Sequence, residues 1–101
     1  MVTIIDYEAG NLRSVEKAFH ALGYPVEVTA DPERIAHAQR LVLPGVGSFK
    51  DAMDSLNCRG LTDCIRCAVS SGTPLLGICL GMQLMYEYSE EGDAQGLGIL
   101  K

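Results

Sequence analysis

"PLLGICLGMQLM", residues 74–85, decides how the chain is read. An apolar run stops at Gly77, Cys79 follows, and Gly81 stands two residues further on. The uncharged run "TPLLGI" has the character of a strand buried on both faces, and from Leu80 to about Glu90 the pattern becomes helical. A reactive side chain between two glycines at a strand-to-helix corner matches the nucleophile elbow, Gly-x-Ser-x-Gly, here Gly77-Ile78-Cys79-Leu80-Gly81 with cysteine as nucleophile.

Such a corner has a chemical logic. Side chains at 77 and 81 would collide with the neighbouring strand and helix, so both positions call for glycine. The bend pushes the sulfur out at the rim of the sheet, at the positive end of the following helix, which favours the thiolate. The Leu80 amide is then expected to be free to point at an oxyanion. A cysteine at a strand end is also commonly a small buried apolar residue, and the corner alone does not separate the two readings.

Upstream, "MVTIID" reads as a short buried strand, followed by Leu12, Val15, Phe19 and Leu22 at helical spacing. Gly23 stands where that helix should stop, and "PVEVT" supplies a second strand. Asp31, Pro32 and Glu33 combine a capping side chain, a fixed φ and an early acid, the start of a second helix. "RLVLP" is a third strand, ended by Pro44. After the turn "GVGS", Ser48 and Asp51 resemble a capping box, and a helical region runs with a break near Gly60 to about Ser70. "EEGDAQG" reads as a loop and "LGILK" as the beginning of a fifth strand.

Strands alternating with helices at these lengths imply parallel strands joined by right-handed crossovers. The expected fold is therefore α/β, a three-layer sandwich on an open parallel sheet, with residues 1–101 as one domain and ligands beyond the carboxyl ends of the strands. The chain of 101 residues is 48% apolar and 21% charged, with a formal net charge of −5. That charge disfavours nucleic acid and anionic membrane as partners. No apolar run approaches a membrane span and the first residues do not resemble a secretory signal, so the reading is a cytoplasmic chain whose four cysteines are thiols.

Three separated motifs carry a resemblance. "GICLGMQLM" is similar to the nucleophile motif of the class I (triad) glutamine amidotransferases, and "LPGVGSF" to the loop that supplies their other oxyanion amide. With "DYEAGNLRSV" at the start, the resemblance is to the branch that forms the glutaminase subunit of imidazole glycerol phosphate synthase in histidine biosynthesis. It spans nearly all 101 residues and implies a flavodoxin-like fold, of which this sequence is the amino-terminal part. It also implies that Cys79 attacks the side-chain amide of glutamine, with oxyanion donors at Leu80 and in the turn Gly45, Val46 and Gly47. Gln83 and Glu91 would contact the bound glutamine, and Met82 replaces the histidine of other branches. The implied partner is a cyclase subunit in a heterodimer, reached through the "DYEAGN" turn, and no metal or organic cofactor is implied. Glu8 departs from the glycine usual in "DYG", which bears on partner contacts.

A glutaminase thiol needs a base, and the base an orienting carboxylate. In the family both come from a His-x-Glu segment that lies downstream of the region matched here. His20 and His37 stand in neither position, and each reads as a solvated helix residue. A polypeptide of these residues is thus expected to be inactive by itself, and an uncovered sheet edge to promote self-association. Cys64 and Cys67 form a C-x-x-C that reads most simply as one core-facing stripe; Met82 and Met85 also read as core. Two other classes stay open: an anion-binding flavodoxin-like module using the helix starts at Ser48 and Leu80, and an inert fragment or scaffold.

Overall fold

The strands are short and mostly apolar, with Glu27 and Thr29 the main exceptions, so they must find cover on two faces, and the chain supplies that cover unequally. A computed structural model describes residues 1–7, 12–86, 88–89 and 94–99. In chain order the elements are β1 (Val2–Ile5), α1 (Leu12–Ala21), β2 (Val26–Thr29), α2 (Pro32–Ala36), β3 (Leu41–Leu43), α3 (Phe49–Cys58), α4 (Leu61–Ser70), β4 (Leu75–Gly77), α5 (Leu80–Leu84), β5 (Tyr88–Ser89) and β6 (Ala94–Gln95).

Strands β1 to β4 form one parallel sheet in the order β2-β1-β3-β4, with Thr3 opposite Leu41 and Leu43 opposite Gly77. Alternation along the strands sorts the side chains. Ile5, Leu41 and Leu43 join buried residues of α2, α3, α4 and α5 in one core, whereas Val2, Ile4 and Val42 meet α1 in a second. The chain thus leaves β1 over one face and β3 over the other. A reversal of this kind opens a crevice at the carboxyl ends of the two strands.

Local signals set the helix boundaries. Gly23 adopts φ +85°, its amide donates to the His20 carbonyl, and that of Tyr24 donates to Phe19. This is a Schellman ending, closed by the edge-on contact of the Phe19 and Tyr24 rings at 6.4 Å. Gly72, at φ +101°, ends α4 in the same way, with Thr73 donating to Ala68. Asp31 caps α2 by accepting from the Glu33 amide, and Ser48 caps α3 by accepting from that of Asp51. Gly60, at φ +70°, breaks the helical region between α3 and α4.

The carboxyl-terminal part departs from expectation. Helix α5 ends at Leu84, well short of Glu90, because the carbonyls of Leu84, Met85 and Tyr86 accept amides of the returning chain at Leu97, Ile99 and Gly98. Helical continuation would need those carbonyls. Residues 97–99 are accordingly not a fifth strand of the sheet. A two-stranded antiparallel pair, β5 with β6, stands in that region instead. The Arg66 guanidinium donates to the carbonyls of Gly96 and Leu97, tying this segment to α4. Met82 is exposed and Met85 only partly buried, because the short helix turns its core face through Leu80, Gly81 and Leu84.

Candidate active site

The site begins where β4 runs out of sheet. The Ile78 amide donates to the Leu43 carbonyl at 3.0 Å, and the chain then turns sharply at Cys79, with φ +55° and ψ −123°. Cys79 is the one non-glycine among the described residues with positive φ. A conformation of that kind costs about 1–3 kcal/mol and persists only where its surroundings impose it. Here they do. A Cβ at Gly77 would lie 2.6 Å from Met82 Cα, and one at Gly81 would fall on the Leu43 carbonyl oxygen. Glycine on both sides is therefore what lets helix and strand close upon the corner.

Facing the corner is the turn that ends β3. Pro44 stops the strand, Gly47 turns the chain at φ +87°, and Ser48 starts α3. Between turn and corner lies a cleft of about 470 Å³, lined by residues 45–49 and by Cys79, Leu80 and Gln83. Its size suits a small organic ligand. Cys79, Val46 and Gln83 are exposed, whereas Leu80 packs its side chain into the core. Gly45, Val46, Gly47, Cys79, Leu80 and Gln83 are thus brought together in one cleft. Glu91 and Glu8 lie outside the described residues.

The Leu80 amide is not free. It donates to the Gly45 carbonyl at 3.0 Å, and the next two amides, of Gly81 and Met82, donate to Ile78 and Cys79. The first amides of α5 are all engaged inside the protein. With only five residues, α5 also presents a much smaller dipole to the sulfur than a longer helix would.

Tyr7, just beyond β1, was not singled out by sequence reasoning. Its side chain is 1% exposed, and its hydroxyl donates to the Pro44 carbonyl. Burial pushes the phenol up to about 12, so it stays a neutral donor across the physiological range. The sequence signal was a tyrosine directly after an apolar strand, whose hydroxyl requires a buried partner.

The remaining candidates lie elsewhere. His20 is exposed in the last turn of α1, 3.9 Å from Glu16, and His37 is exposed at the end of α2 with Nδ1 on the Glu33 carbonyl. The C-x-x-C does not form one core stripe. Cys64 packs against the core and donates to the Pro32 carbonyl at 2.9 Å, while Cys67, a step around the helix, is exposed. Burial, and next the neighbouring Cys67, push the Cys64 thiol up, away from the reactive thiolate. Cys58 is exposed.

Comparison with known proteins bears on this arrangement. The family model described as "Glutamine amidotransferase class-I" matches residues 3–92. The imidazole glycerol phosphate synthase subunit HisH of Geobacillus thermodenitrificans is 57% identical over 100% of this chain and 48% of its own length. That of Syntrophotalea carbinolica is 54% identical over 99% of this chain and 49% of its own. The chain spans about half the length of the curated relatives it matches. Among solved structures, one described as a glutamine amidotransferase superposes with a TM-score of 0.82 at 22% identity, over 98% of this chain and 53% of that one. A protein described as a peptidase E, from Listeria monocytogenes, superposes at 0.79 with 16% identity, covering 99% of this chain and 62% of that one. At those identities the two structures speak for the shared fold.

Proposed function

The chain belongs to the class I glutamine amidotransferases, and on that premise we propose that it is the nucleophile-bearing half of a glutaminase, the subunit of imidazole glycerol phosphate synthase that supplies ammonia to a cyclase partner. In this reading Cys79 Sγ attacks the side-chain amide carbon of glutamine. A C–S bond forms, the C–N bond breaks, and the nitrogen takes a proton from a general acid and leaves as ammonia. Water then hydrolyses the glutamyl thioester to glutamate. The oxyanion donors would be the Leu80 amide and the amides of the turn Gly45, Val46 and Gly47, with Gln83 and Glu91 holding the substrate. For the Leu80 amide to serve, the Gly45 carbonyl it now bonds must swing away.

One observation carries the reading: an exposed cysteine, forced into positive φ by its neighbours, shares a cleft with the glycine turn after β3. The partner in this proposal is a cyclase subunit, engaged on the same rim as Cys79. The triad base and its carboxylate are not supplied by His20 or His37, so a polypeptide of these residues by itself would show nucleophile chemistry without turnover. An anion-binding module is less well supported, since the first amides of α5 are already bonded. Among the described residues no helix is long and apolar enough to cross a membrane.

The test is covalent labelling. A chloroketone analogue of glutamine should alkylate Cys79, and free glutamine should slow the reaction. Labelling that ignores glutamine, or falls equally on Cys58 and Cys67, would remove the proposal's support.

A further inference from the structure

The hydroxyl of Tyr7 has a place in the site although Tyr7 does not line the Cys79 cleft. It donates to the carbonyl of Pro44, the first residue of the turn that faces the nucleophile. A Cβ at the following Gly45 would lie 2.6 Å from that hydroxyl, 3.0 Å from the Gly81 amide nitrogen and 3.2 Å from Leu80 Cβ. Gly45 is thus clasped between Tyr7 and the first turn of α5, and its own carbonyl takes the Leu80 amide. Tyr7 is held in turn from its other side. Ser55 Oγ on α3 donates to the Tyr7 carbonyl at 2.6 Å and accepts from Arg59 Nε at 3.4 Å.

We propose that Tyr7 is a positioning residue: anchored to α3 through Ser55, it fixes the Pro44 carbonyl and so holds the Pro44–Gly45 peptide beside the Cys79 corner, as the fixed point about which the next peptide, whose carbonyl now takes the Leu80 amide, turns to open the oxyanion site. The Pro44–Gly45 segment has few other means of holding its place. Pro44 has no amide to donate, and glycine at 45 and 47 leaves the turn with wide conformational freedom. A buried phenol donating to the one carbonyl at the head of such a turn removes much of that freedom. Because the hydroxyl reaches the turn and not the ligand space, its loss should disturb the response to a carbonyl in the cleft while leaving the thiol itself unchanged. This inference rests on the glutaminase reading above.

The experiment compares two electrophiles on the 101-residue chain and on Tyr7→Phe. Iodoacetamide, with its adduct followed at Cys79 by peptide mass spectrometry because Cys58 and Cys67 are also exposed, reports the intrinsic reactivity and exposure of Cys79. The chloroketone analogue of glutamine also requires the turn and the corner in register around its carbonyl. Loss of one buried hydrogen bond should slow chloroketone labelling of Tyr7→Phe about five- to tenfold, with iodoacetamide labelling unchanged. Equal chloroketone rates in the two proteins would overturn the proposal while leaving the glutaminase reading intact. A parallel fall in both rates would also overturn it, by showing a general loosening. If the parent chain itself shows no glutamine-protected labelling, the glutaminase reading fails and this inference fails with it. Should Tyr7→Phe not fold, Ser55→Ala carries the same comparison, since it frees the Tyr7 carbonyl and keeps the hydroxyl.

Discussion

The two faces of the parallel sheet differ sharply. Under α2 to α5, fully buried Ile35, Leu43, Leu56, Leu61, Ile65 and Leu84 pack into one continuous core. Under α1, the buried residues among those described are Val2, Ile4, Val15 and Val42, and Leu22 and Leu76 remain 71% and 52% exposed. Two shallow apolar cavities, of about 330 and 200 Å³, mark where that second face is left partly open beside Phe19 and Leu76. Strand β4 also has no sheet neighbour on its outer side among the described residues. One face is closed by the chain's own helices and carries the site; the other is a half-finished layer. A small domain can tolerate this because stability is concentrated where burial is complete.

Substitutions can break this contrast, and the largest effect should come from the closed face. Leu56→Ala removes a fully buried side chain from the larger core and should cost about 2–5 kcal/mol, read as a shifted urea midpoint. An effect no larger than that of Val15→Ala under α1 would erase the distinction. Gly81→Ala sets a methyl group against the Leu43 carbonyl, so it should cost about 3 kcal/mol or more and abolish glutamine-protected labelling of Cys79.

The buried phenol gives the closed face a signature in alkali. The Tyr7 pKa is raised from 10.0 to about 12, so the unfolded chain loses its proton first as pH rises. Its contribution is complete below pH 10 and fades between 10 and about 12, a loss of about 2–3 kcal/mol. Denaturant titrations across that range should therefore show the parent chain losing more stability than Tyr7→Phe, and parallel curves would contradict the assignment.

The open face predicts association before it predicts stability. An uncovered strand edge beside exposed Leu76 should make the isolated chain self-associate as concentration rises, and Leu76→Lys should shift sedimentation toward monomer. A monomer at all concentrations would mean that the face needs no cover. The smallest expected effect is that of Leu22→Ser: at 71% exposure, it should change stability by less than about 0.5 kcal/mol.

Much of this was legible in the sequence. The four parallel strands, the caps at Asp31 and Ser48, and the stop at Gly23 followed from apolar runs and turn chemistry, because those signals are local. The glycines flanking Cys79 announced the corner for the same reason. What escaped was decided by distant partners. Helix α5 stops early because residues 97–99 take its carbonyls, and Leu22, Met82 and Cys67 are exposed because no described element covers them. The Leu80 amide looked available from the corner's geometry, yet the Gly45 carbonyl, 35 positions upstream, occupies it. The partner of Tyr7 escaped for a similar reason: its place after an apolar strand signals a buried hydroxyl, but nothing near it in sequence reveals the Pro44 carbonyl it meets.

The contact of Gly81 with the Leu43 carbonyl has a wider meaning. Leu41, Val42 and Leu43 are apolar throughout, so polarity within the strand does not tell its two sides apart. A point of close backbone approach adds such a distinction, and the corner holding Cys79 supplies one. The Cys79 corner and strand alignment share one point of contact, and a chain that loses it would forfeit its sheet order together with the setting of its exposed cysteine.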